Sequence, residues 1–139
     1  LAISSYESKF ATPGVNLGLF CSTPMVALSR NINKKNAMEM LLTGDFINAE
    51  KAKEIGLINN IVPKEELSLE VNALAEKIAS KSTMTVSTGK KAFYAQAEMD
   101  LSDAYKYTSK TMTDNLLKHD AKEGINSFIE KRAPKWQDK

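Results

Sequence analysis

Two capped helices are encoded in residues 33–63, which read NKKNAMEMLLTGDFINAEKAKEIGLINNIVP. Asn33 is a good N-cap for a first helix, in which Ala37, Met38, Leu41 and Leu42 share one face. Gly44 is expected to end that helix. Asn48 then caps a second, short helix, and Gly56 lies just past its end. The segment therefore predicts two short helices, each bounded by an asparagine and a glycine.

Strands are expected on either side of these helices. The segment Leu57–Val62, with four apolar residues, predicts a strand that Pro63 stops, although Asn59-Asn60 favours a turn as the alternative. Near the start of the chain, residues 1–6 and 9–12 each predict a short strand. Thr23-Pro24 predicts the start of a helix that runs to about residue 28.

The remainder of the chain is expected to be helical. An apolar stripe on the first of these helices consists of Leu67, Val71, Leu74, Ala75 and Ile78. Two more helices are expected over residues 85–97 and from Asp100 to about residue 118. Asp120 and Glu123 have the spacing of a capping box for the last helix, and Ile125, Phe128 and Ile129 are expected to form its buried face.

Composition excludes several classes of protein. The chain has 139 residues, 42% of them hydrophobic and 26% charged, with a net charge of +2. These values are typical of a globular protein. The charge surplus is too small for a dedicated nucleic-acid binder, and no apolar run reaches the roughly 20 residues of a membrane-spanning helix. The single cysteine, Cys21, excludes an internal disulfide.

The first 29 residues contain only two charged side chains, Glu7 and Lys9. A segment so poor in charge is expected to be buried on more than one side. Leu1 is therefore expected to lie inside a larger fold, and a processed N-terminus is the alternative.

Residue types alone do not complete an active site. A nucleophilic triad would need His119, the only histidine, which is expected on the surface, and Cys21 is expected to be an apolar filler. No metal-ligand spacing or nucleotide-binding glycine motif is present. The carboxylates are expected at solvent-exposed helix positions.

Three blocks of sequence, taken together, resemble the crotonase (enoyl-CoA hydratase/isomerase) superfamily. They are residues 1–18, then residues 37–44 continuing through 48–58 to Val62-Pro63, and finally Asp120, Glu123-Gly124, residues 128–132 and Pro134. Residues 10–22 and 114–116 are most similar to the enoyl-CoA hydratase domain-containing branch of that superfamily.

The resemblance implies an α/β crotonase fold, of which this mostly helical chain with a few short strands is the C-terminal half. Residues 1–62 would end the spiral β/α core, and residues 63–139 would form the helical trimerisation region. The backbone N–H groups of the oxyanion hole, which stabilise a thioester enolate, would lie upstream of Leu1. This segment by itself is expected to be inactive.

The family's second hydratase glutamate follows a proline, and the matching position here is Gly14 in Phe10-Ala11-Thr12-Pro13-Gly14. Glycine cannot deliver a proton, so hydratase activity is in doubt and the catalytic residues stay unassigned. An isomerase-like proton shuttle, a thioesterase-like activity and no chemistry all remain open.

The resemblance also implies binding residues. Phe128 and Lys131 match an aromatic and a lysine that contact the coenzyme A of a neighbouring subunit, although packing and solvation are alternative roles. The acyl pocket would be lined by Leu17, Leu19, Phe20 and Met25, for which ordinary core packing is the alternative.

The implied partners are an acyl-CoA substrate and further copies of the chain in a trimer or a dimer of trimers. No nucleic acid, membrane, metal or cofactor is expected beyond the coenzyme A thioester itself. The location would be cytoplasmic in a bacterium and mitochondrial in a eukaryote. A non-catalytic helical oligomerisation or interaction module is the alternative function.

Overall fold

The structure is a computed structural model that describes all 139 residues. Seven α-helices account for most of the chain. They are α1 (Ser22–Asn31), α2 (Lys34–Thr43), α3 (Ala49–Glu54), α4 (Leu67–Ala79), α5 (Thr83–Gln96), α6 (Leu101–Leu116) and α7 (His119–Ile129). Short 3-10 turns at Pro13–Leu17 and Lys64–Glu66 complete the helical elements.

Four short strands pair in two sheets of two strands each. Strand β1 (Ile3–Ser5) runs parallel to β4 (Asn60–Val62), with Ser4 opposite Ile61. Strand β2 (Lys9–Phe10) runs antiparallel to β3 (Ile47–Asn48). The first residues of the chain thereby pair with two strands of the segment 47–62, one before α3 and one after it.

The predicted helix boundaries in this segment are confirmed. The side chain of Asn33 accepts a hydrogen bond from the N–H of Asn36, and that of Asn48 accepts one from Lys51, at 3.0 and 2.8 Å. Gly44, with φ of 67°, ends α2 in the left-handed conformation that favours glycine. These contacts are local, so the sequence contains all the information that they need.

Several predicted elements differ in length, and the strands expected over residues 1–6 and 9–12 are confined to β1 and β2. The strand expected over Leu57–Val62 is confined to β4, because the N–H groups of Leu57 and Ile58 both turn back to the carbonyl of Ala52 and close α3. Helix α1 begins at Ser22 without a side-chain cap from Thr23 and runs on to Asn31.

The chain divides into two compact units, unit 1 (Leu1–Leu74) and unit 2 (Ala75–Lys139). The division falls inside α4, whereas the sequence predicted a helical region beginning at Pro63. The division predicted from the sequence separates residues by their expected roles in the family fold and not by compactness. It stays a prediction.

An apolar core holds unit 1 together. Leu41, which is 1% exposed, lies at its centre. The core cluster consists of Leu28, Ile32, Ala37, Met40 and Leu41, with Phe10, Met25, Ile47, Ile55 and Leu57 packed against it. Helices α1 and α2 therefore supply the core, and the β2–β3 pair covers one of its edges.

Unit 2 buries few large apolar side chains. Its buried residues are Ala92 on α5, Ala104 on α6, and the polar residues Ser82, Asp120 and Ser127. Helix α5 packs against α6, and α6 packs against α7. No helix of the chain has both the length and the apolar character that crossing a membrane requires.

Two predictions for α7 are wrong. The helix begins at His119, so Asp120 lies in its first turn and is not a cap. The side chains of Ile125, Phe128 and Ile129, which were expected to be buried, are 50%, 84% and 70% exposed. The amphipathic pattern of α7 predicts that its apolar face packs against another surface. No other part of unit 2 covers that face.

Candidate functional site

A tight loop carries the Gly14 position. The hydroxyl of Thr12 donates a buried hydrogen bond of 2.8 Å to the carbonyl of Met40 on α2. The N–H of Leu19 donates to the carbonyl of Gly14 at 2.9 Å, and the N–H of Gly14 points at Cys21 Sγ, 3.3 Å away. The loop is therefore anchored to α2 at one end and folded onto itself at the other.

Gly14 is required by lack of space rather than by its backbone angle. Its φ is not in the left-handed region, where Gly18, Gly44 and Gly56 lie. A Cβ atom built at position 14 would lie only 2.7 Å from Cys21 Sγ and 2.7 Å from the carbonyl oxygen of Leu19. Because one of these neighbours is backbone, any side chain at position 14 would force the loop to move.

The predicted acyl-pocket residues do not form an enclosed pocket within unit 1. Leu17 and Leu19 are 79% and 67% exposed, Phe20 is partly exposed, and Met25 packs against the core. A separate open groove of about 760 Å³ lies in the same unit, and none of these four residues lines it. Their assignment to an acyl pocket stays a prediction.

The predicted coenzyme A contacts lie at the end of α7. Phe128 is on the last turn of the helix and lines an open groove of about 620 Å³ in unit 2, together with Met112, Leu116, Ile125 and Trp136. Lys131 follows the helix and is exposed, with a φ of 53°. The structure thus places the two residues three positions apart around one helix end.

A carboxylate on α7 binds the segment that follows the helix. Glu123 accepts two hydrogen bonds from the Arg132 guanidinium, at 2.6 and 3.0 Å, and a third from the N–H of Lys135 at 2.8 Å. The Glu123 side chain is 14% exposed. The Arg132 hydrogen bonds and the Lys135 N–H lower the pKa of Glu123 to about 2. Glu123 is therefore ionised at neutral pH, and it neutralises Arg132.

A second carboxylate, Asp120, is buried at 2% exposure. Its two oxygens accept hydrogen bonds from the N–H groups of Gln137 and Asp138, at 2.8 and 3.0 Å. The Ser82 hydroxyl and these two N–H groups lower the pKa of Asp120 to about 2, although burial opposes them. Asp120 thus fastens the C-terminal segment (residues 133–139) to the start of α7.

The C-terminal segment makes two further contacts within unit 2. The indole N–H of Trp136 donates to the carbonyl of Ser80 at 2.9 Å. The carboxylate of Asp138 accepts a hydrogen bond of 3.1 Å from the N–H of Met84, in the first turn of α5. Trp136 is thereby held as one wall of the groove that Phe128 lines.

Sequence reasoning missed the roles of Asp120, Glu123 and Arg132. The carboxylates were expected at solvent-exposed positions, and the partners of Asp120 are 17 and 18 residues away in sequence. No local pattern identifies such a partner. His119 is exposed as expected, with Nδ1 3.4 Å from Asp120, and no three His, Cys, Asp or Glu side chains are grouped as metal ligands.

Comparisons with known proteins identify relatives of the whole chain. The family model described as enoyl-CoA hydratase/isomerase matches residues 1–139. The mitochondrial enoyl-CoA hydratase domain-containing protein 3 of Rattus norvegicus is 52% identical over 136 residues, which are 98% of this chain and 45% of that protein. The Homo sapiens protein of the same name is also 52% identical over 136 residues, with the same coverage of both chains. The resemblance to the domain-containing branch is thereby confirmed.

Solved structures give the same result. An enoyl-CoA hydratase from Mycobacterium smegmatis superposes with a TM-score of 0.94 at 46% identity, over 98% of this chain and 53% of that one. The human enoyl coenzyme A hydratase domain-containing protein 3 superposes with a TM-score of 0.92 at 51% identity, over 98% and 54%.

The chain thus spans about half the length of the relatives that it matches. Its fold corresponds to part of the crotonase fold, as the sequence predicted, with most residues in helices and only a few in short strands. The chain belongs to the enoyl-CoA hydratase/isomerase family.

Proposed function

We propose that the protein processes acyl-CoA thioesters and acts by stabilising a thioester enolate. The observation that carries this proposal is the match of the enoyl-CoA hydratase/isomerase family model to every residue of the chain. The oxyanion hole that would bind the thioester carbonyl lies outside this segment in the family. The chain by itself would therefore be inactive, and the activity would belong to the protein made from the complete reading frame.

Gly14 argues against ordinary hydratase chemistry. Water addition needs a positioned acid or base, which typically contributes about 10²- to 10⁴-fold to the rate. The protein should therefore hydrate crotonyl-CoA at least about 10²-fold more slowly than a hydratase with two glutamates. Loss of crotonyl-CoA absorbance with the complete protein measures this rate. A rate equal to that of a two-glutamate hydratase would show that another residue supplies the proton.

The Gly14→Glu variant tests whether a glutamate introduced at this position is sufficient for hydration. Contacts of 2.7 Å with Leu19 and Cys21 leave no room for a Cβ atom. We therefore expect no rescue of hydration by Gly14→Glu alone, because the loop must move before a carboxylate can point at a substrate. Full rescue would show that the loop moves readily enough to make room for a side chain at position 14.

Coenzyme A would contact Phe128 and Lys131, and the acyl chain would contact Leu17, Leu19, Phe20 and Met25. The support is positional, since both predicted coenzyme A residues are exposed at one helix end. Replacing Lys131 with Ala should weaken acyl-CoA binding by about 1 kcal/mol, as expected for one partly exposed charge-assisted contact. Unchanged affinity by calorimetry would remove Lys131 from the binding site.

The exposed apolar faces of unit 2 favour assembly with further copies, as a trimer or a dimer of trimers. Met112, Leu117 and Phe128 are 69%, 68% and 84% exposed, which is unusual for a monomer surface. A monodisperse monomer in light scattering of the complete protein would contradict this proposal. The same faces also favour a non-catalytic oligomerisation module, which would form the assembly without binding coenzyme A.

The location follows from the relatives only in part. The rat and human relatives are named mitochondrial. We therefore propose a mitochondrial location if the source is a eukaryote and a cytoplasmic one if it is a bacterium. Fractionation of the source cells tests this directly.

A further inference from the structure

Helix α7 ends in a turn with two capping hydrogen bonds. The N–H of Lys131 donates to the carbonyl of Phe128 at 3.2 Å, and the N–H of Arg132 donates to that of Ser127 at 3.0 Å. This pair of bonds defines the Schellman motif, in which the residue after the C-cap adopts the left-handed conformation. Here the C-cap is Glu130 and the left-handed residue is Lys131, with φ of 53°.

Lysine is an unusual residue for that position. The chain has five residues with positive φ, of which three are glycines and one is Asp138. Glycine accepts this conformation freely and aspartate tolerates it, but for a lysine the Cβ atom makes it unfavourable. A lysine in a strained position favours the hypothesis that its side chain has a use that glycine cannot supply.

The residues on both sides of Lys131 are held by one guanidinium. Arg132 forms two hydrogen bonds to Glu123 and one to Glu130. Glu123 also accepts the N–H of Lys135, so the turn is tied to the preceding helix both before and after Pro134. The two hydrogen bonds from the Arg132 guanidinium to the Glu123 carboxylate fix the direction in which the chain leaves the helix.

The same contacts leave the Lys131 ammonium without a partner. Glu123 and Glu130 are both paired with Arg132, and Lys131 takes part in no ion pair. An unpaired ammonium on a fixed turn is suited to a ligand phosphate, for which lysine acts as a point charge.

We propose that Glu123 is a positioning residue which, through Arg132, holds the turn that presents Lys131 to the phosphate groups of coenzyme A. The proposal rests on the proposed function, because it assumes that coenzyme A is the ligand. It assigns to Glu123 a role in affinity, without contact between Glu123 and the ligand.

The test is a double-mutant cycle in the complete protein, with coenzyme A and pantetheine as calorimetric probes. We expect Lys131→Ala to weaken coenzyme A binding about fivefold and Glu123→Gln to weaken it about threefold. In the Lys131→Ala background, Glu123→Gln should have no further effect, since it acts through the lysine. Pantetheine, which lacks the phosphates, should bind all variants equally. Lys122→Ala, on the exposed side of α7, is the matched control and should bind coenzyme A like wild type.

Several outcomes overturn the proposal. An effect of Glu123→Gln that persists in the Lys131→Ala background means that Glu123 acts by another route, and an unchanged affinity means that it positions nothing. Wild-type protein that does not bind coenzyme A overturns the proposed function itself, which is a different result from either of these. If Glu123→Gln does not fold, as judged by Trp136 fluorescence, Arg132→Lys takes its place, because it keeps the charge but loses the fork.

Discussion

Units 1 and 2 are similar in size but are stabilised by different kinds of interaction. Unit 1 buries Leu28, Ile32, Met40 and Leu41 in one apolar cluster. Unit 2 leaves its large apolar side chains exposed, and the least exposed side chain in it is that of Asp120. Unit 1 thus has a clustered apolar core, whereas unit 2 combines the packing of α5 on α6 with buried hydrogen bonds from backbone N–H groups to Asp120.

The difference indicates which interactions stabilise each unit. A clustered apolar core stabilises unit 1, although Leu17, Leu19 and Phe46 are 79%, 67% and 68% exposed. In unit 2 the buried hydrogen bonds fix the backbone, while the apolar faces of α6 and α7 remain available for another surface. Mutations should therefore have different effects in the two units.

The largest effect is expected in the core of unit 1. Replacing Leu41, which is 1% exposed, with Ala should lower the free energy of unfolding by about 3 kcal/mol, because it leaves a cavity. Leu42 follows it on α2 and is 61% exposed, so Leu42→Ala should change stability by less than about 0.5 kcal/mol. Urea denaturation followed by circular dichroism compares the two variants. Equal losses would mean that another surface covers Leu42.

Acid should act first on unit 2. Asp120 and Glu123 have pKa values of about 2, below the usual carboxyl values of about 4. Their contribution to stability is therefore fully present above about pH 5 and is lost as the pH falls toward 2. Trp136 is the only tryptophan and lies in the C-terminal segment, so its fluorescence reports release of that segment.

The acid titration has a matched pair of variants. Asp120→Asn should release the C-terminal segment even at neutral pH, because the amide binds the Gln137 and Asp138 N–H groups less well than the carboxylate does. Asp103→Asn, which removes an exposed ion pair with Lys106, should leave the titration unchanged. If the fluorescence changed as much in Asp103→Asn as in Asp120→Asn, the release of the C-terminal segment could not be attributed to the hydrogen bonds of Asp120.

The contrast between Asp120 and the helix caps shows what the sequence could predict. Asn33, Asn48 and Asp100 accept hydrogen bonds from N–H groups three residues later, so their residue types and positions at the helix starts identified them. Asp120 and Glu123 have the same spacing, but in the folded chain both carboxylates bind residues beyond the end of α7. These two carboxylates make tertiary contacts in place of the predicted cap. A pattern of neighbouring residues in the sequence cannot predict such contacts.

The family and fold were predictable for a different reason, because three blocks of sequence resemble the crotonase superfamily, and the glycines and small residues of the middle block fit the backbone geometry of the fold. Gly44 and Gly56 both adopt the left-handed conformation, and Ala49 and Ala52 are completely buried. The exposure of Phe128 and Ile129 was not predictable, since an apolar face looks the same whether it packs within the chain or against another one.

Gly14→Ala should have a smaller effect than loss of the Leu41 side chain. The added methyl group would meet the Leu19 carbonyl at 2.7 Å, and such overpacking costs about 2 kcal/mol. Gly89→Ala is the matched control, because Gly89 lies inside α5 with nothing within 4 Å of an added Cβ. That variant should gain about 1 kcal/mol from helix propensity. Chemical denaturation measures both changes, and a stabilising Gly14→Ala would show that the loop is mobile.

The smallest effect is expected at Lys131, where the strained turn and the binding role can be separated. Lys131→Gly removes the cost of a left-handed lysine, about 1 kcal/mol, but adds flexibility to the unfolded chain, so the net gain in stability should be about 0.5 kcal/mol. The same substitution at Lys122, inside α7, should lower stability by about 1 kcal/mol, because glycine is a poor helix former. Opposite signs for the same substitution inside α7 and in the turn that ends it would show that the backbone conformation at Lys131 disfavours lysine. If both variants lose stability, the left-handed conformation at Lys131 stores no strain, and the argument from strain to a function of this lysine loses its support.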